Sequence, residues 1–291
     1  MLSLSFPPPK VEAIPFYSNT GRQVFVLRAD AIDPVISGNK WFKLRYYLAE
    51  AIQQHKTRIV TYGGAFSNHI IATAAACKAA GLACTGIIRG EQPLVLSHTL
   101  LQAQAMGMQL YFISRQDYAA KPVPGWVNPT TDYCIAEGGY GKTGAAGAAT
   151  MVAGIEGFTH ILCAVGTGTT MAGLITASPG TKVTGISSLK NNTALATEVA
   201  ALTGTPAANV DILHEFHFGG YAKHKPELLF FMNKLFEQTG IPTDFVYTGK
   251  LFYGFHELLR QNYFVPGSKI LLIHSGGLQG NLSLPKGTLM Y

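Results

Sequence analysis

The feature that most constrains this chain is a recurring order: an apolar run, a glycine-rich turn, then a stretch with helical spacing. Residues 58–62 read as a strand, followed by Gly63-Gly64 and an alanine-rich helix over residues 68–80. Residues 83–88 form the next run, and a helix over 97–106 ends at Gly107, where a glycine suits the left-handed turn after a helix. Further apolar runs lie at residues 109–113, 160–165, 182–187 and 269–274, and a helix follows from about Thr170. Strands apolar throughout, alternating with helices, predict parallel sheets covered on both faces. The predicted class is α/β.

Composition excludes other classes. Hydrophobic residues make up 47% of the 291 and charged residues 13%, the reverse of what keeps a chain disordered. The glycines follow no three-residue period, so the chain is not collagen-like. Four cysteines, Cys77, Cys84, Cys134 and Cys163, form no CxxC pair. That pattern predicts neither a disulfide framework nor a zinc site, and it fits a reducing, cytoplasmic setting. The N-terminus lacks a basic region and breaks on three prolines, so no signal peptide is expected. Glu156 and His160 interrupt the Ala/Gly-rich stretch over residues 143–175, which predicts no transmembrane span. The net charge of +6 comes from scattered basic residues. It suits small anions better than nucleic acid.

Ligands of parallel α/β sheets bind beyond the carboxyl ends of strands, where glycine-rich turns enter helices. Three segments qualify: residues 63–69, 166–170 and 274–277. In the second, a strand runs into Gly166-Thr167-Gly168-Thr169-Thr170, where exposed N–H groups and a helix dipole would favour a phosphate. The segment is neither a P-loop nor a complete GxGxxG, because Met171 takes the place of the third glycine. Lys40, after Gly38-Asn39, falls in the first turn of a helix, where the positive dipole end disfavours its charge. A depressed lysine suits Schiff-base chemistry, whereas an ordinary Lys40 and Lys43 would be solvated helix residues. Ser67 and Asn68 sit at a helix start. They read either as simple caps or as a carboxylate binder and a donor to a phenolate-type oxygen, with His69 as a proton carrier. Residues 137–144 read as a glycine-dense hinge before a small-residue helix. Residues 246–254 and 274–277 place hydroxyls in turns near strand ends.

Six segments in this order, SGNKWFKLRYYL, YGGAFSNHIIATAAACKAAGL, EGGYGKTGAAG, AVGTGTTMAGL, YTGKLFYG and LLIHSGGLQGN, resemble the signatures of one family. It is the D-cysteine desulfhydrase and 1-aminocyclopropane-1-carboxylate (ACC) deaminase family of pyridoxal 5'-phosphate (PLP) enzymes, whose fold is of the tryptophan synthase β-subunit type. The resemblance covers nearly the whole chain. It implies two domains with parallel or mixed sheets flanked by helices: a larger one from residues 1–45 and 137–291, and a smaller one from 46–136. By the resemblance, Lys40 holds PLP as a Schiff base and Asn68 faces the ring hydroxyl. Ser67, with Asn68 and His69, meets the substrate, while Gly166, Thr167, Gly168, Thr169 and Thr170 cradle the phosphate with Lys43 supplying charge. Tyr247 and Tyr221 lie near the substrate.

One pair of positions separates the two activities. ACC deaminases resemble YEGK where this chain has Tyr247-Thr248-Gly249-Lys250, and HLGG where it has His274-Ser275-Gly276-Gly277. Their glutamate keeps the pyridine nitrogen protonated, whereas Thr248 and Ser275 offer only hydroxyls, as desulfhydrases do. The resemblance therefore implies β-elimination from D-cysteine to pyruvate, sulfide and ammonia, in a homodimer without metal. Ring opening of ACC and a non-catalytic small-anion binder are the competing readings. Two departures stand out: Phe66 replaces the family's usual glutamine, which would remove an amide from the substrate pocket, and GTGTT replaces GTGGT.

Overall fold

A computed structural model describes residues 6–291, so the expectations for residues 1–5 lie outside the described residues. Ten strands form two sheets. The first holds β1 (Lys10–Ala13), β2 (Gln23–Arg28), β7 (His160–Val165), β8 (Lys182–Ser187), β9 (Asp211–Leu213) and β10 (Lys269–His274), in the order β1-β2-β10-β7-β8-β9. Only β1 runs antiparallel to its neighbour. The second holds β3 (Arg58–Gly63), β4 (Ala83–Arg89), β5 (Met108–Ile113) and β6 (Asp132–Ile135), in the order β5-β4-β3-β6 and wholly parallel. Nine α-helices join them among the described residues: α1 (Asn39–Gln53), α2 (Asn68–Ala80), α3 (His98–Ala105), α4 (Arg115–Ala119), α5 (Lys142–Ala149), α6 (Thr169–Ala177), α7 (Leu195–Thr203), α8 (Pro226–Thr239) and α9 (Thr248–Arg260).

Except in the edge strand β5, which is half-exposed, the apolar runs are buried on both faces, as a covered parallel sheet requires. Along β7 and β10, Leu162 and Leu272 pack with Leu251, Phe252 and Phe255 of α9. Ile161, Cys163, Leu271 and Ile273 belong to the large core on the opposite side, together with residues of α1 and α6. Each fully buried leucine or phenylalanine contributes about 1.5–3 kcal/mol of transfer free energy.

Small residues bring α1, α5 and α6 together. A Cβ on Gly147 would lie 2.1 Å from the Phe42 carbonyl oxygen, and one on Gly173 would lie 2.5 Å from that of Ala145. The alanine- and glycine-rich composition of α5 and α6 is therefore a condition of their packing. α2 starts where Ser67 Oγ accepts from the His69 and Ile70 N–H groups, and it ends at Gly81 with φ 69°.

One expectation changes, and four strands carried little sequence signal. The segment beginning at Tyr247 is no turn after a strand: Tyr247 precedes the first turn of α9, which runs on for 13 residues. β1, β2, β6 and β9 are short strands of three to six residues with weak signals of their own, held by pairing to neighbours.

Candidate active site

Three loops at carboxyl ends of strands, together with the start of α1, enclose a cavity of about 500 Å³. Gly64, Ser67, Asn68 and His69 line it after β3, Gly166, Thr167 and Gly168 after β7, and Ser275, Gly276 and Gly277 after β10. The start of α1 is pinned to the last of these loops. Asn39 N–H donates to the Ser275 carbonyl at 3.2 Å, and a Cβ on Gly38 (φ 65°) would overlap that oxygen at 1.9 Å. Only glycine permits that approach.

Lys40 reaches the cavity and donates to Asn39 Oδ1 at 2.8 Å. Burial lowers its pKa to about 8, against an opposing pull from the Asp244 charge. Desolvation, more than the helix dipole, is thus the leading cause of the depression. Asn39 Nδ2 donates to Thr170 Oγ1 at 2.8 Å, which couples Lys40 to the loop after β7. Lys43 is buried, donates to the Gly138 carbonyl at 3.2 Å, and is pushed well below the usual lysine range by burial and by Lys40. His69 is buried with Nε2 2.8 Å from Thr61 Oγ1, while its Nδ1 has no partner. Burial and the two lysines hold its pKa well below the ordinary histidine value, so it is neutral at pH 7.

Tyr247 and Tyr221 stand on the facing wall with ring centroids 6.1 Å apart. Burial, then the neighbouring phenol, raises the Tyr247 pKa well above 10, which keeps its proton in place. Asp244 accepts from the Val246, Tyr247 and Thr248 N–H groups, each at 2.9 Å, and so positions the start of α9.

Three expected positions do not face the cavity. Thr248 is fully buried, its hydroxyl donating to Asp244 Oδ1 at 2.7 Å and accepting from Asp244 N–H at 2.8 Å. Both valences are used by the helix cap, so no pyridine nitrogen can reach it. Thr169 is buried beneath the loop, 3.1 Å from Thr167 Oγ1. Phe66 is 49% exposed and lies against the His98 ring, so its difference from glutamine falls outside the cavity wall. Among the cavity residues that sequence reasoning did not assign to the site are Asn39, Arg89 and Glu137. Asn39 lies beside the lysine that was singled out. Arg89 is the last residue of β4, where the strand-end rule could have found it.

The cavity fits PLP. At the start of α6, Ala172 N–H is the first to bond within the helix, to the Gly168 carbonyl, which leaves the preceding N–H groups open to a phosphate. A Cβ on Gly168 (φ 77°) would meet Val199 at 2.6 Å, and one on Gly166 would crowd the Tyr247 ring at 3.1 Å. The buried Asn68 amide has an oxygen without a partner, and a half-turn of that amide presents its donor instead. The amine of Lys40 stands in the same space. Residues 3–276 match the family described as pyridoxal-phosphate dependent enzyme. The chain belongs to that family.

Within it, this PLP-dependent enzyme is similar to the mitochondrial bifunctional D-cysteine desulfhydrase/1-aminocyclopropane-1-carboxylate deaminase of Arabidopsis thaliana, with 30% identity over 89% of this chain and 73% of that protein. It is 25% identical to a D-cysteine desulfhydrase of Yersinia pestis, over 88% of this chain and 87% of that one. The crystal structure of an ACC deaminase homologue superposes with a TM-score of 0.81 at 27% identity, over 97% of this chain and 92% of that one. The α/β architecture with parallel and mixed sheets is shared with that homologue. An enzyme of this family sets aside the reading as a non-catalytic anion binder. Among the described residues, no helix is long and apolar enough to cross a membrane.

Proposed function

We propose that this PLP-dependent enzyme eliminates the β-thiol of D-cysteine, giving pyruvate, sulfide and ammonia with the uptake of one water. The observation that carries the reading is the acid inventory of the cavity. Its one carboxylate among the described residues is Glu137, which pairs with Lys121 at 2.6 Å. Ser275 supplies a neutral hydroxyl on the wall formed after β10, and with Thr248 turned into the helix cap it is the only one of the two marker hydroxyls available there. A cavity that offers no carboxylate to a pyridine nitrogen supports a reaction with a good leaving group over the opening of a cyclopropane ring.

PLP supplies the aldehyde that takes up the substrate amine and the electron sink for the pair left at Cα. Lys40 would hold the cofactor, and its amine is the group placed to take the α-proton. The open N–H groups at the start of α6 hold the phosphate, and Asn68 meets the ring hydroxyl. Ser67 donates its hydroxyl proton to the substrate carboxylate while its oxygen caps α2. Tyr247, protonated across the working range, positions the substrate and offers its O–H as a hydrogen bond to the departing sulfur, and Tyr221 restrains it from the side. His69 acts as a neutral wall, because its depressed pKa removes it as a proton donor. A smaller domain within residues 46–136 is supported by the second sheet lying wholly within residues 58–135, while the 45/46 boundary itself falls inside the continuous helix α1. We assign the assembly as a homodimer and the compartment as cytoplasmic, the latter supported by four unpaired cysteines.

The test is keto-acid release by the PLP-loaded enzyme from D-cysteine and from ACC in parallel, with Lys40→Ala as control. Pyruvate and sulfide from D-cysteine alone support the assignment. 2-Oxobutyrate from ACC would show that a serine beside the pyridine nitrogen is enough for ring opening, an activity named for the Arabidopsis relative.

A further inference from the structure

One lysine of α9 is buried without lining the cavity. The side chain of Lys250 is shut off from water, and its Nζ donates to the Gly220 carbonyl at 2.7 Å. Burial of an amine is costly, and here it lowers the pKa to about 8 against an opposing pull from the Asp244 charge. Protonated or neutral, the amine keeps an N–H for that carbonyl.

Gly220 directly precedes Tyr221, on a loop with a strained backbone. Phe218, Gly219, Gly220 and Ala222 have φ of 51°, 99°, 114° and 52°, so two residues that carry side chains sit in the left-handed region. Within the loop, Gly220 N–H donates to the His217 carbonyl at 3.0 Å and Lys223 N–H to the Gly220 carbonyl at 3.1 Å. Further support comes from one face of α9. The Phe218 ring meets Tyr253 edge-on with centroids 4.8 Å apart, and a Cβ on Gly254 would come within 2.9 Å of the Phe216 ring. Lys250, Tyr253 and Gly254 share that face by their helical spacing. Tyr247, at the cavity end of the same helix, lies beside the Tyr221 that the loop returns to it, with ring centroids 6.1 Å apart.

We infer that Lys250 is a positioning residue: its buried amine, through the Gly220 carbonyl, fixes the loop over residues 216–222 and holds the Tyr221 ring beside Tyr247. Its bearing on catalysis rests on the reading of the two tyrosines as the substrate-side wall, whereas the placement is a property of the protein alone.

Holoenzyme labelled with 3-fluorotyrosine reports that placement by fluorine NMR without turnover, so a failure of D-cysteine elimination and a failure of the Lys250 assignment are separable. The signals of Tyr221 and Tyr247 are assigned by their loss in Tyr221→Phe and Tyr247→Phe. Lys250→Met keeps the stem of the side chain and removes the amine. In that variant the Tyr221 and Tyr247 signals should shift, and amide exchange over residues 216–222, read by mass spectrometry, should quicken about tenfold with cofactor absorbance unchanged. Lys250→Gln returns an N–H donor and should recover part of both effects. A lysine that only filled the core would show no such recovery, since methionine is the better filler. Unmoved Tyr221 and Tyr247 signals in Lys250→Met overturn the inference, and so does a larger effect in Lys250→Gln than in Lys250→Met. Faster exchange spread evenly over both sheets also overturns it, because Lys250 would then support the whole core and not this loop.

Discussion

Lys40 and Thr248 show how burial, more than sequence position, decides what a side chain can do. A free lysine amine attacks an aldehyde only when deprotonated, and desolvation brings the Lys40 pKa to about 8. Covalent attachment of PLP to the apoenzyme, trapped with borohydride at timed intervals, should therefore accelerate as pH rises through about 8 and level off above it. An ordinary lysine would keep accelerating towards 10.4. Thr248 calls for the opposite test. Its hydroxyl serves Asp244 twice, so Thr248→Val should cost about 1–3 kcal/mol in denaturant unfolding by leaving a buried carboxylate short of a donor. Whatever ratio of D-cysteine to ACC turnover the unmodified enzyme shows should survive, because residue 248 does not face the cavity. Thr248→Glu should fail to fold well, since it buries a second carboxylate against Asp244.

At the scale of elements, the site is made of helix starts. α1 delivers Lys40, α2 delivers Ser67 and Asn68, α6 delivers the phosphate loop and α9 delivers Tyr247. Each start brings N–H groups that have no partner inside the helix and the positive end of a dipole. Two of them are held by side-chain caps, Ser67 on α2 and Asp244 on α9. Asp244→Ala should lower stability by about 1–2 kcal/mol from the lost cap, and more from the buried groups left unpaired. It should also slow turnover by displacing Tyr247, with PLP still bound as judged by its absorbance. At the start of α6 the constraint is steric. Gly168→Ala forces a side chain into a left-handed backbone and into Val199, so PLP affinity should fall, measured by titration of the apoenzyme.

Across the whole molecule, the cavity joins the two sheets. Gly64 and Ser67 follow a strand of one sheet, and Gly166 and Ser275 follow strands of the other. A cofactor held by both adds its binding free energy to that of the folded state. PLP at 100 times its dissociation constant should stabilise the enzyme by about 2.7 kcal/mol. Thermal unfolding should therefore move upward on adding PLP, and it should move less in Lys40→Ala if Lys40 forms the proposed covalent bond.

The amino-acid sequence by itself determined the alternating α/β plan, because uniformly apolar runs such as residues 269–274 have stable solutions only inside a covered sheet. It also marked the loops where chemistry gathers, since glycine–hydroxyl turns after buried strands are local features. β9, with three residues, is invisible alone because its stability comes from pairing with β8. The helical start at Tyr247 was hidden for the same reason, since its cap comes from Asp244 and its apolar face matters only against β7 and β10. Only the tertiary structure turned Thr248 away from the cavity, placed Phe66 outside it and brought Arg89 into its lining. Which way a side chain faces, and what charge it meets, depends on neighbours far along the chain, and no local pattern encodes them.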